Sequence, residues 1–323
     1  MKDDGTGAWF SMKNVYAVCV DYTETDKCTP EDKSSFLLAY SNDLSIGEFN
    51  GLVNYLKVNF PKEKISPQFN TFLQVRFDAN NNDGVSSSTD IDEWFSTLEK
   101  NPPNPSDALD PSEETDIIDV LKNHTATCGS KIVVLMKRPL LETNYYTMTV
   151  ENLQKLRTTL YTISPVLENR EHLGITKMSA LTDGYGIFSN APYPDALANI
   201  PLLGTSYCLY SFNIRITGNR EPFKLYDLKI NTTGVYTLMI ISDIKLEGTN
   251  YFELEYTDYD NSQNKGTLNS SIIDAYQNMI WKELTFEAGV YLLMLKNDLP
   301  GYQDFYAANT RVYSKEPVDY WVP

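Results

Sequence analysis

The segment Lys33–Phe60, KSSFLLAYSNDLSIGEFNGLVNYLKVNF, constrains the possible fold more than any other part of the chain. Its apolar run Phe36–Tyr40 predicts a strand, and Ser41–Asp43 predicts a polar turn. The apolar residues that follow have helical spacing: Ile46, Phe49, Leu52, Val53 and Leu56. A strand, a turn and an amphipathic helix begin a parallel βαβ unit. The turn then lies at the carboxyl end of the strand, where open α/β sheets carry their ligand sites.

The same alternation continues to about residue 190. Further strands are predicted at Phe72–Phe77, Lys131–Lys137, Leu160–Val166 and Tyr185–Ser189. Helices are predicted at Asp90–Lys100, Asp116–Lys122 and Val150–Thr159 and at about Glu171–Thr182, with Thr115 as an N-cap and Gly184 as a C-terminal cap. Strands that alternate with helices in this way indicate a doubly wound α/β domain.

After Gly204 the pattern changes to short alternating runs that are separated by turn residues, with no helical period. A Gly-Val-Tyr strand start occurs twice, at Gly234 and Gly289, which two equivalent strands of one antiparallel β-sandwich would explain. The sequence therefore predicts an N-terminal strand and connector at 1–32, an α/β domain at 33–204 and a β-sandwich at 205–323.

Charge and hydropathy exclude several classes of partner. The 323-residue chain has a formal net charge of −16, whereas nucleic-acid phosphates require a basic surface. The same charge argues against binding to anionic membrane surfaces. No apolar run approaches the roughly 18 residues that a spanning helix needs, so membrane insertion is not expected. The opening MKDDGTGAWF is polar and reads as a mature or trimmed N-terminus.

Sequons and cysteines indicate a secreted glycoprotein. N-glycosylation sequons begin at Asn123, Asn231 and Asn269. The four cysteines include no C-x-x-C pair, so two disulfides are expected. One arrangement pairs Cys28 with Cys128 at the lower edge of the sheet, and then Cys19 with Cys208. The alternative pairs Cys19 with Cys28, and Cys128 with Cys208.

Four motifs carry a resemblance to a known family: FLLAYSNDL, CGSKIVVLMKRP, SALTDGYGIF and the closing VDYWVP. Over about residues 28–323 the chain resembles a family of secreted nematode proteins. In that family a von Willebrand factor A-like domain is found beside a β-sandwich or a C-type lectin domain. The resemblance implies an extracellular protein of mostly unassigned biochemistry and does not supply a substrate.

Many A-type domains bind a divalent metal ion at the upper edge of the sheet through an Asp-x-Ser-x-Ser turn, a Thr and an Asp. In this chain Ala39 replaces the leading Asp, Ser41 is kept and Asp43 replaces the final Ser. Thr115 can match the Thr, but Lys137 and Arg138 follow the fourth strand in place of the acidic residue. Because Mg²⁺ requires oxygen ligands, we expect no metal and no cofactor. Ser41 and Thr115 are then expected to cap helices.

A second oxygen-rich segment, Asp78–Asp90, could suggest a calcium loop. An EF-hand loop needs Gly at its sixth position and Glu at its twelfth. Counted from Asp78, the glycine is seventh and the twelfth residue is Thr89. The segment is therefore predicted to be a plain polar loop.

The chain carries little that suggests catalysis. His124 lies inside a sequon and His172 near a helix start, neither with a motif-placed Ser or Cys. No nucleophile elbow, Walker loop, dinucleotide fingerprint or zincin motif occurs. Paired acids such as Glu113–Glu114 and Asp90–Asp92 are typical of solvated surface. We therefore expect a protein without enzymatic activity, and hydrolysis of a glycan or peptide is only a remote alternative.

Two functional hypotheses follow. The first is a secreted recognition module that binds a protein or a glycan through its sandwich or its upper sheet edge, since exposed aromatic faces stack on sugars and anchor protein contacts. The 22 tyrosines motivate it, although a sandwich core also uses tyrosine. The second is a self-associating structural subunit of an extracellular assembly or filament, in which the strand-like Lys13–Val20 links one copy to the next.

Overall fold

The computed structural model describes the chain in thirteen stretches: residues 34–60, 68–81, 84–110, 113–123, 127–138, 140, 144–164, 173–188, 207–216, 222–242, 251–269, 278–298 and 306–316. The predicted N-terminal strand and connector at 1–32, the two histidines and the predicted linker Lys13–Val20 lie outside these residues. So does the predicted domain boundary at 204/205, which stays a prediction.

The first half of the described chain forms a six-stranded sheet with the order β3-β2-β1-β4-β5-β6. Its strands are β1 Ser34–Ser41, β2 Phe69–Phe77, β3 Ser86–Ser88, β4 Lys131–Leu135, β5 Thr159–Ser164 and β6 Tyr185–Phe188. All neighbouring strands run parallel except β3, which runs antiparallel to β2. Strands β1 and β4 are buried along their full length, as apolar runs in the middle of a parallel sheet should be.

Within the described residues, the two faces of this sheet are covered by five α-helices: α1 Ile46–Asn59, α2 Ile91–Lys100, α3 Ile117–Asn123, α4 Asn144–Lys155 and α5 Leu173–Leu181. Helices α1 and α2 share one core cluster with one face of the sheet, and the other three share a second cluster with the opposite face. This strand order, with helices on both faces, confirms the predicted doubly wound α/β fold. No described helix combines the length and the apolar character that crossing a membrane requires.

Two details of the helix prediction were wrong. Ile46, predicted to face the core, is 55% exposed, because it lies in the first turn of α1 ahead of the buried stripe that begins at Phe49. Helix α4 begins at Asn144, six residues before the predicted start at Val150. The buried Tyr146 extends its apolar stripe backwards, and the Tyr146 hydroxyl donates to the Gly174 carbonyl of α5 at 3.0 Å.

The predicted cap at Gly184 exists, but the left-handed residue in it is Asp183, whose φ is +58°. The Gly184 N–H donates to the Ser179 carbonyl at 2.9 Å, which is the hydrogen bond of a Schellman motif at the end of α5. Glycine is required at position 184 for another reason. A Cβ there would lie 1.9 Å from the carbonyl oxygen of Leu160 in β5.

The second half of the described chain forms two antiparallel sheets that pack as a sandwich, as predicted. One sheet has the order β13-β10-β15-β7, and the other has the order β12-β11-β14-β8 with β9 also paired to β14. The strands are β7 Tyr207–Ile216, β8 Phe223–Lys224, β9 Leu228–Ile230, β10 Gly234–Ser242, β11 Tyr251–Asp258, β12 Lys265–Asn269, β13 Met279–Phe286, β14 Gly289–Asp298 and β15 Tyr306–Ser314.

The two Gly-Val-Tyr strand starts lie in opposite sheets, at the beginning of β10 and of β14. Their tyrosines both contact Phe286: the ring centroid of Tyr236 lies 6.1 Å from that of Phe286, and the ring centroid of Tyr291 lies 4.9 Å from it. The repeated sequence therefore supplies matching aromatic residues to one shared core between the sheets.

The outer face of the four-stranded sheet packs on the edge strand β6 and on the end of α5. Met239, Ile241 and Tyr313 belong to the same core cluster as Tyr185 and Ile187 of the α/β sheet. Backbone groups at this contact also have partners. The Asn278 amide donates to the Gly186 carbonyl at 2.9 Å, and the Tyr313 hydroxyl donates to the Asp183 carbonyl at 2.7 Å. The sandwich thus covers an edge of the parallel sheet that would otherwise be open to pairing.

We call the contact of the four-stranded sheet with β6 and the end of α5 the joint. Arg311 is its central charged residue. It is fully buried, and its Nη2 atom donates to the Ala180 carbonyl of α5 at 2.8 Å and to Asn213 Oδ1 at 2.7 Å. Its Nη1 atom donates to the Thr310 carbonyl at 3.0 Å. The buried carboxylate of Asp183 interacts electrostatically with this guanidinium. One side chain therefore connects the end of α5 to β7 and β15.

The free energy of unfolding should depend on pH through Asp183. Burial raises the pKa of its carboxyl from 3.8 to about 6, although the charge of Arg311 and a hydrogen bond from Ser211 act in the opposite direction. Between these two pKa values the folded protein holds the proton and the unfolded chain does not. This carboxyl therefore stabilises the fold progressively as the pH falls from 7 to 4, and not as it rises.

Asp183→Asn removes this titration and keeps a residue that tolerates positive φ. We expect the stability of the unsubstituted protein to increase, relative to the variant, by up to about 3 kcal/mol between pH 7 and pH 4. Denaturant unfolding of both proteins at four pH values in that range measures the difference. A difference that stays constant, or that decreases toward pH 4, would contradict this assignment of the pKa.

The predicted disulfide bond of Cys208 is absent. Cys208 lies buried at the joint as a free thiol, and its Sγ atom contacts the Tyr210 carbonyl at 3.4 Å. Both pairings that use it, Cys19–Cys208 and Cys128–Cys208, are therefore wrong, because the packing of β7 points this side chain into the apolar cluster with Tyr313. Cys128 is disulfide-bonded. Since Cys28 lies outside the described residues, Cys28–Cys128 stays a prediction.

The predicted glycosylation sites occupy different environments. Asn231 is exposed between β9 and β10, whereas Asn269 is half-buried at the end of β12. Asn123 is the last residue of α3, and its side chain is not among those described. Glycosylation at all three stays a prediction.

Candidate functional site

The candidate site lies at the carboxyl edge of the parallel sheet, as the order of motifs predicts. Strand β1 ends at Ser41, β2 is followed by Asp78, and β4 is followed by Lys137 and Arg138. Because parallel strands end at the same edge, these side chains meet above the sheet. Thr115, just before α3, lies beside them and donates a hydrogen bond to Asp78.

Arg138 is the residue around which this edge is organised. Its Nε atom donates to Asp43 Oδ2 at 2.6 Å and its Nη2 atom to Asp43 Oδ1 at 3.1 Å, which makes a two-point ion pair. The remaining donors reach the backbone carbonyls of Asp110 and Glu113, at 2.5 and 3.1 Å from Nη1, and of Leu109, at 2.6 Å from Nη2. All five N–H donors of the guanidinium therefore have an oxygen partner.

This arrangement places a cation inside the protein. The Arg138 side chain is only 7% exposed and that of Asp43 24% exposed, so water screens the pair weakly. The hydrogen bonds that Arg138 donates to Asp43, together with the charge of that carboxylate, raise the pKa of Arg138 above its ordinary value. Five oxygen atoms surround the guanidinium, and they come from a carboxylate and from the chain that leads into α3. The positive charge thus ties the loop after β1 to the segment before α3.

Asp78 is the acidic residue that the sequence-based reasoning missed. Its carboxylate is fully buried; Oδ2 accepts from Ser41 Oγ at 2.7 Å, and Oδ1 accepts from the Asp116 N–H at 3.1 Å. The Asp78 N–H in turn donates to Asp116 Oδ1 at 2.7 Å. Burial raises the pKa of Asp78 to about 6, opposed by hydrogen bonds from Ser41 and Thr115 and increased by the nearby charge of Asp116. An acid directly after β2, at this same edge, was the signal available in the sequence.

The predicted site residues Ser41, Asp43 and Thr115 are thus brought together around Asp78 and Arg138. The predicted capping role is met only in part by Thr115, because Asp116 is the residue directly before α3 and its carbonyl accepts from the Val120 N–H at 3.5 Å. The Thr115 Oγ1 atom accepts from the Ile117 N–H at 3.3 Å at the start of α3. Ser41 does not cap α1, because Ser45 forms the capping box with Glu48 and Ser41 instead bonds Asp78.

Lys137 forms a second ion pair at this edge. Its Nζ atom donates to Glu48 Oε2 at 2.9 Å, and both side chains are 31% exposed. Burial acts to raise the pKa of Glu48, but hydrogen bonds from Lys137 and Ser45 outweigh it, and the pKa lies below its ordinary value. Both basic residues that follow β4 are therefore paired with acids of the segment between β1 and the first turns of α1.

These residues do not fit a divalent metal ion. A hard cation needs carboxylate oxygens with uncompensated charge. Both oxygens of Asp43 are already bonded to Arg138, and those of Asp78 accept from Ser41 and Asp116. An ion placed between Asp43 and Thr115 would also lie against the guanidinium charge. We therefore assign no reaction step and no ligand bond at this edge to a metal.

The acids that were predicted to be solvated surface have structural contacts. Asp90 Oδ1 accepts from the N–H groups of Asp92 and Glu93 and so caps α2. Glu113 Oε2 accepts from the Asp110 N–H at 2.9 Å. These contacts give both acids a local role in the backbone turns that they accompany.

No protein-family model matches the chain, and no curated protein matches it. Among solved structures, a proximal thread matrix protein of the mussel byssus is similar at 11% identity, over 56% of this chain and 50% of that one, with a TM-score of 0.39. The same mussel protein with a zinc-occupied MIDAS motif is similar at 10% identity over the same shares, with a TM-score of 0.40.

The human COPII-coat protein Sec24c is similar at 8% identity, over 88% of this chain and 43% of that one, with a TM-score of 0.39. This chain therefore spans half or less of these structures. At such identities and TM-scores, the similarities support no inference about function.

Proposed function

We propose that this protein is a secreted, non-enzymatic recognition protein that binds a protein or glycan partner without a divalent metal ion. The observation that carries the proposal is the internal pairing of Arg138 with Asp43. In an A-type sheet this edge is where a bound cation would receive a partner's carboxylate. In this chain the cation is a side chain whose donors are all occupied by the protein's own oxygens.

The same pairing argues against catalysis at this edge. A nucleophile and a general base need to be within hydrogen-bond reach of each other and of a substrate. The Ser41 hydroxyl is close to the buried Asp78 carboxylate at 2.7 Å, but this serine is itself fully buried. The polar groups of the edge therefore stabilise loops, and the binding surface is expected to lie on exposed parts of the fold.

A binding assay run with and without chelator tests the proposal. The purified protein would be applied to arrays of glycans and of extracellular-matrix proteins, in 2 mM calcium and magnesium and again in excess EDTA. We expect the same ligands to bind in both buffers. Binding that disappears in EDTA would contradict metal-independent recognition, and blank arrays of both kinds would count against recognition as the function.

The self-associating structural subunit remains the alternative, and its proposed linker Lys13–Val20 lies outside the described residues. Among described strands, β13 is an edge of its sheet, and it carries exposed Lys282 and Glu283. Charged side chains on an edge strand oppose pairing with another copy. Light scattering across a range of concentrations distinguishes the two functions, since the molar mass should increase with concentration only for a self-associating subunit.

A further inference from the structure

Lys224, Asp227 and Tyr259 form an exposed hydrogen-bonded cluster on the five-stranded sheet of the sandwich. Tyr226 lies between Lys224 and Asp227 in the chain, and we call these four residues the tyrosine patch. Lys224, Tyr226 and Asp227 belong to β8 and the connection from β8 to β9, and Tyr259 directly follows β11. Tyr226 is 59% exposed and Tyr259 is 51% exposed. No contact described at the candidate site involves this patch.

The backbone beneath the patch is fixed to β14. The Leu225 N–H donates to the Leu293 carbonyl at 2.9 Å, and the Tyr259 N–H donates to the Val290 carbonyl at 3.0 Å. Leu225 is buried in the sandwich core beside Tyr226. The two connections that carry the patch are therefore anchored to β14 by backbone hydrogen bonds.

Hydrogen bonds also hold the side chains in place. The Tyr259 hydroxyl donates to Asp227 Oδ1 at 2.8 Å and accepts from Lys224 Nζ at 3.1 Å. Lys224 and Asp227 form an ion pair at 3.5 Å. The Tyr226 ring packs edge to face against Phe212, with centroids 5.1 Å apart. Both tyrosine rings are thus oriented before any ligand arrives, which lowers the entropy cost of binding.

Stability alone does not explain this arrangement. Lys224 and Asp227 are about half exposed, so water screens their ion pair and it contributes little to stability. Exposed aromatic rings with fixed polar groups beside them are instead typical of surfaces that bind ligands, because tyrosine offers a large rigid face and a polar tip. The pairing of aromatic faces with a few placed polar groups matches the general chemistry of small-ligand recognition.

We propose that the tyrosine patch binds a neutral hexose oligosaccharide. The apolar face of a pyranose ring can stack on a tyrosine ring, and its hydroxyls can donate to Asp227 and accept from Lys224. The charges of Lys224 and Asp227 cancel within the patch, and the chain carries a net charge of −16, which disfavours sulfated or uronic acid glycans. This inference rests on the proposed recognition function and names its ligand class.

Array binding and site-directed variants test the patch. The unsubstituted protein, Tyr226→Ala, Tyr259→Ala and Tyr259→Phe would be applied to neutral oligosaccharides of glucose, galactose and mannose and to heparin hexasaccharide. We expect binding to neutral probes only, a loss of at least tenfold in both alanine variants and a smaller loss in Tyr259→Phe, which keeps the ring. Trp281→Ala is the matched control, because this exposed aromatic lies on β13 of the other sheet and should not change binding.

Thermal unfolding of each variant shows that the fold is intact, since the substituted side chains are exposed. If neutral glycans still bind after both alanine substitutions, the tyrosine patch is not the binding site, although the proposed recognition function is unaffected. Preferential heparin binding, or no glycan binding alongside metal-independent capture of a matrix protein, would likewise overturn the patch alone. Blank glycan and protein arrays together would overturn both.

Discussion

Replacing Arg138 with alanine is expected to lower the free energy of unfolding by about 3–5 kcal/mol. The substitution leaves the Asp43 carboxylate largely buried without its partner. It also removes the donors to the carbonyls of Leu109, Asp110 and Glu113, which lie in the segment before α3. Unfolding by urea or guanidinium, followed by circular dichroism, measures the change.

Lys137→Ala is the matched control for this prediction. Lys137 is the neighbouring basic residue, and its ion pair with Glu48 is about one-third exposed. An ion pair that water screens to this extent is worth about 0–1 kcal/mol, so the control should change stability little. If both variants lost the same small amount, the central role assigned to the Arg138 guanidinium would be wrong.

Replacing Arg311 with alanine should be similarly severe, with an expected loss of about 3–5 kcal/mol. Arg311 is fully buried at the joint and donates to the Ala180 carbonyl and to Asn213 Oδ1. Its removal leaves those acceptors unsatisfied and leaves Asp183 buried without a nearby positive charge. Because the joint covers the edge strand β6, we also expect faster proteolysis between the two sheet systems.

Lys315→Ala is the control on the neighbouring residues of the chain. Lys315 follows β15 and pairs with Glu283, with both side chains almost half exposed, so its loss should cost less than about 1 kcal/mol. Equal stability of Arg311→Ala and Lys315→Ala, together with equal rates of proteolysis, would show that Arg311 does not hold the joint.

Local sequence patterns were enough to predict most of the strands and helices. The continuous apolar runs of β1 and β4 are best buried in the middle of a sheet, and both strands are buried along their full length. The apolar stripe from Phe49 to Leu56 is best buried on one face of a helix, and that face of α1 is buried. The alternating runs after residue 204 predicted the sandwich for the same reason. Strand β12 was missed, because KGTLN carries one buried apolar residue, Leu268, and gives almost no periodic signal. Strand β3 was missed as well: the prediction of a plain polar loop over Asp78–Asp90 was wrong at Ser86–Ser88, since three serines carry no apolar signal and their strand depends on pairing with β2.

Contacts between distant residues were not predictable from these patterns. Arg138 was read as a cation that displaces an acidic ligand, but its bonds to Asp43 and to three carbonyls depend on how the loops meet above the sheet. Two helix ends use non-glycine residues in the left-handed region, Arg157 and Asp183, which the sequence does not mark. Likewise, the free state of Cys208 follows from the position of β7 at the joint rather than from the cysteine count.

The most direct test of the central claim is thermal unfolding of the unsubstituted protein in EDTA, compared with 5 mM magnesium and 5 mM calcium. A site with a dissociation constant of about 50 μM would stabilise the fold by about 2.7 kcal/mol at that concentration, which is easily measured. Because Arg138 supplies the positive charge at the sheet edge, we predict the same midpoint in all three buffers. A midpoint that rises with either ion, and that no longer rises when Asp43 is replaced by alanine, would contradict the account.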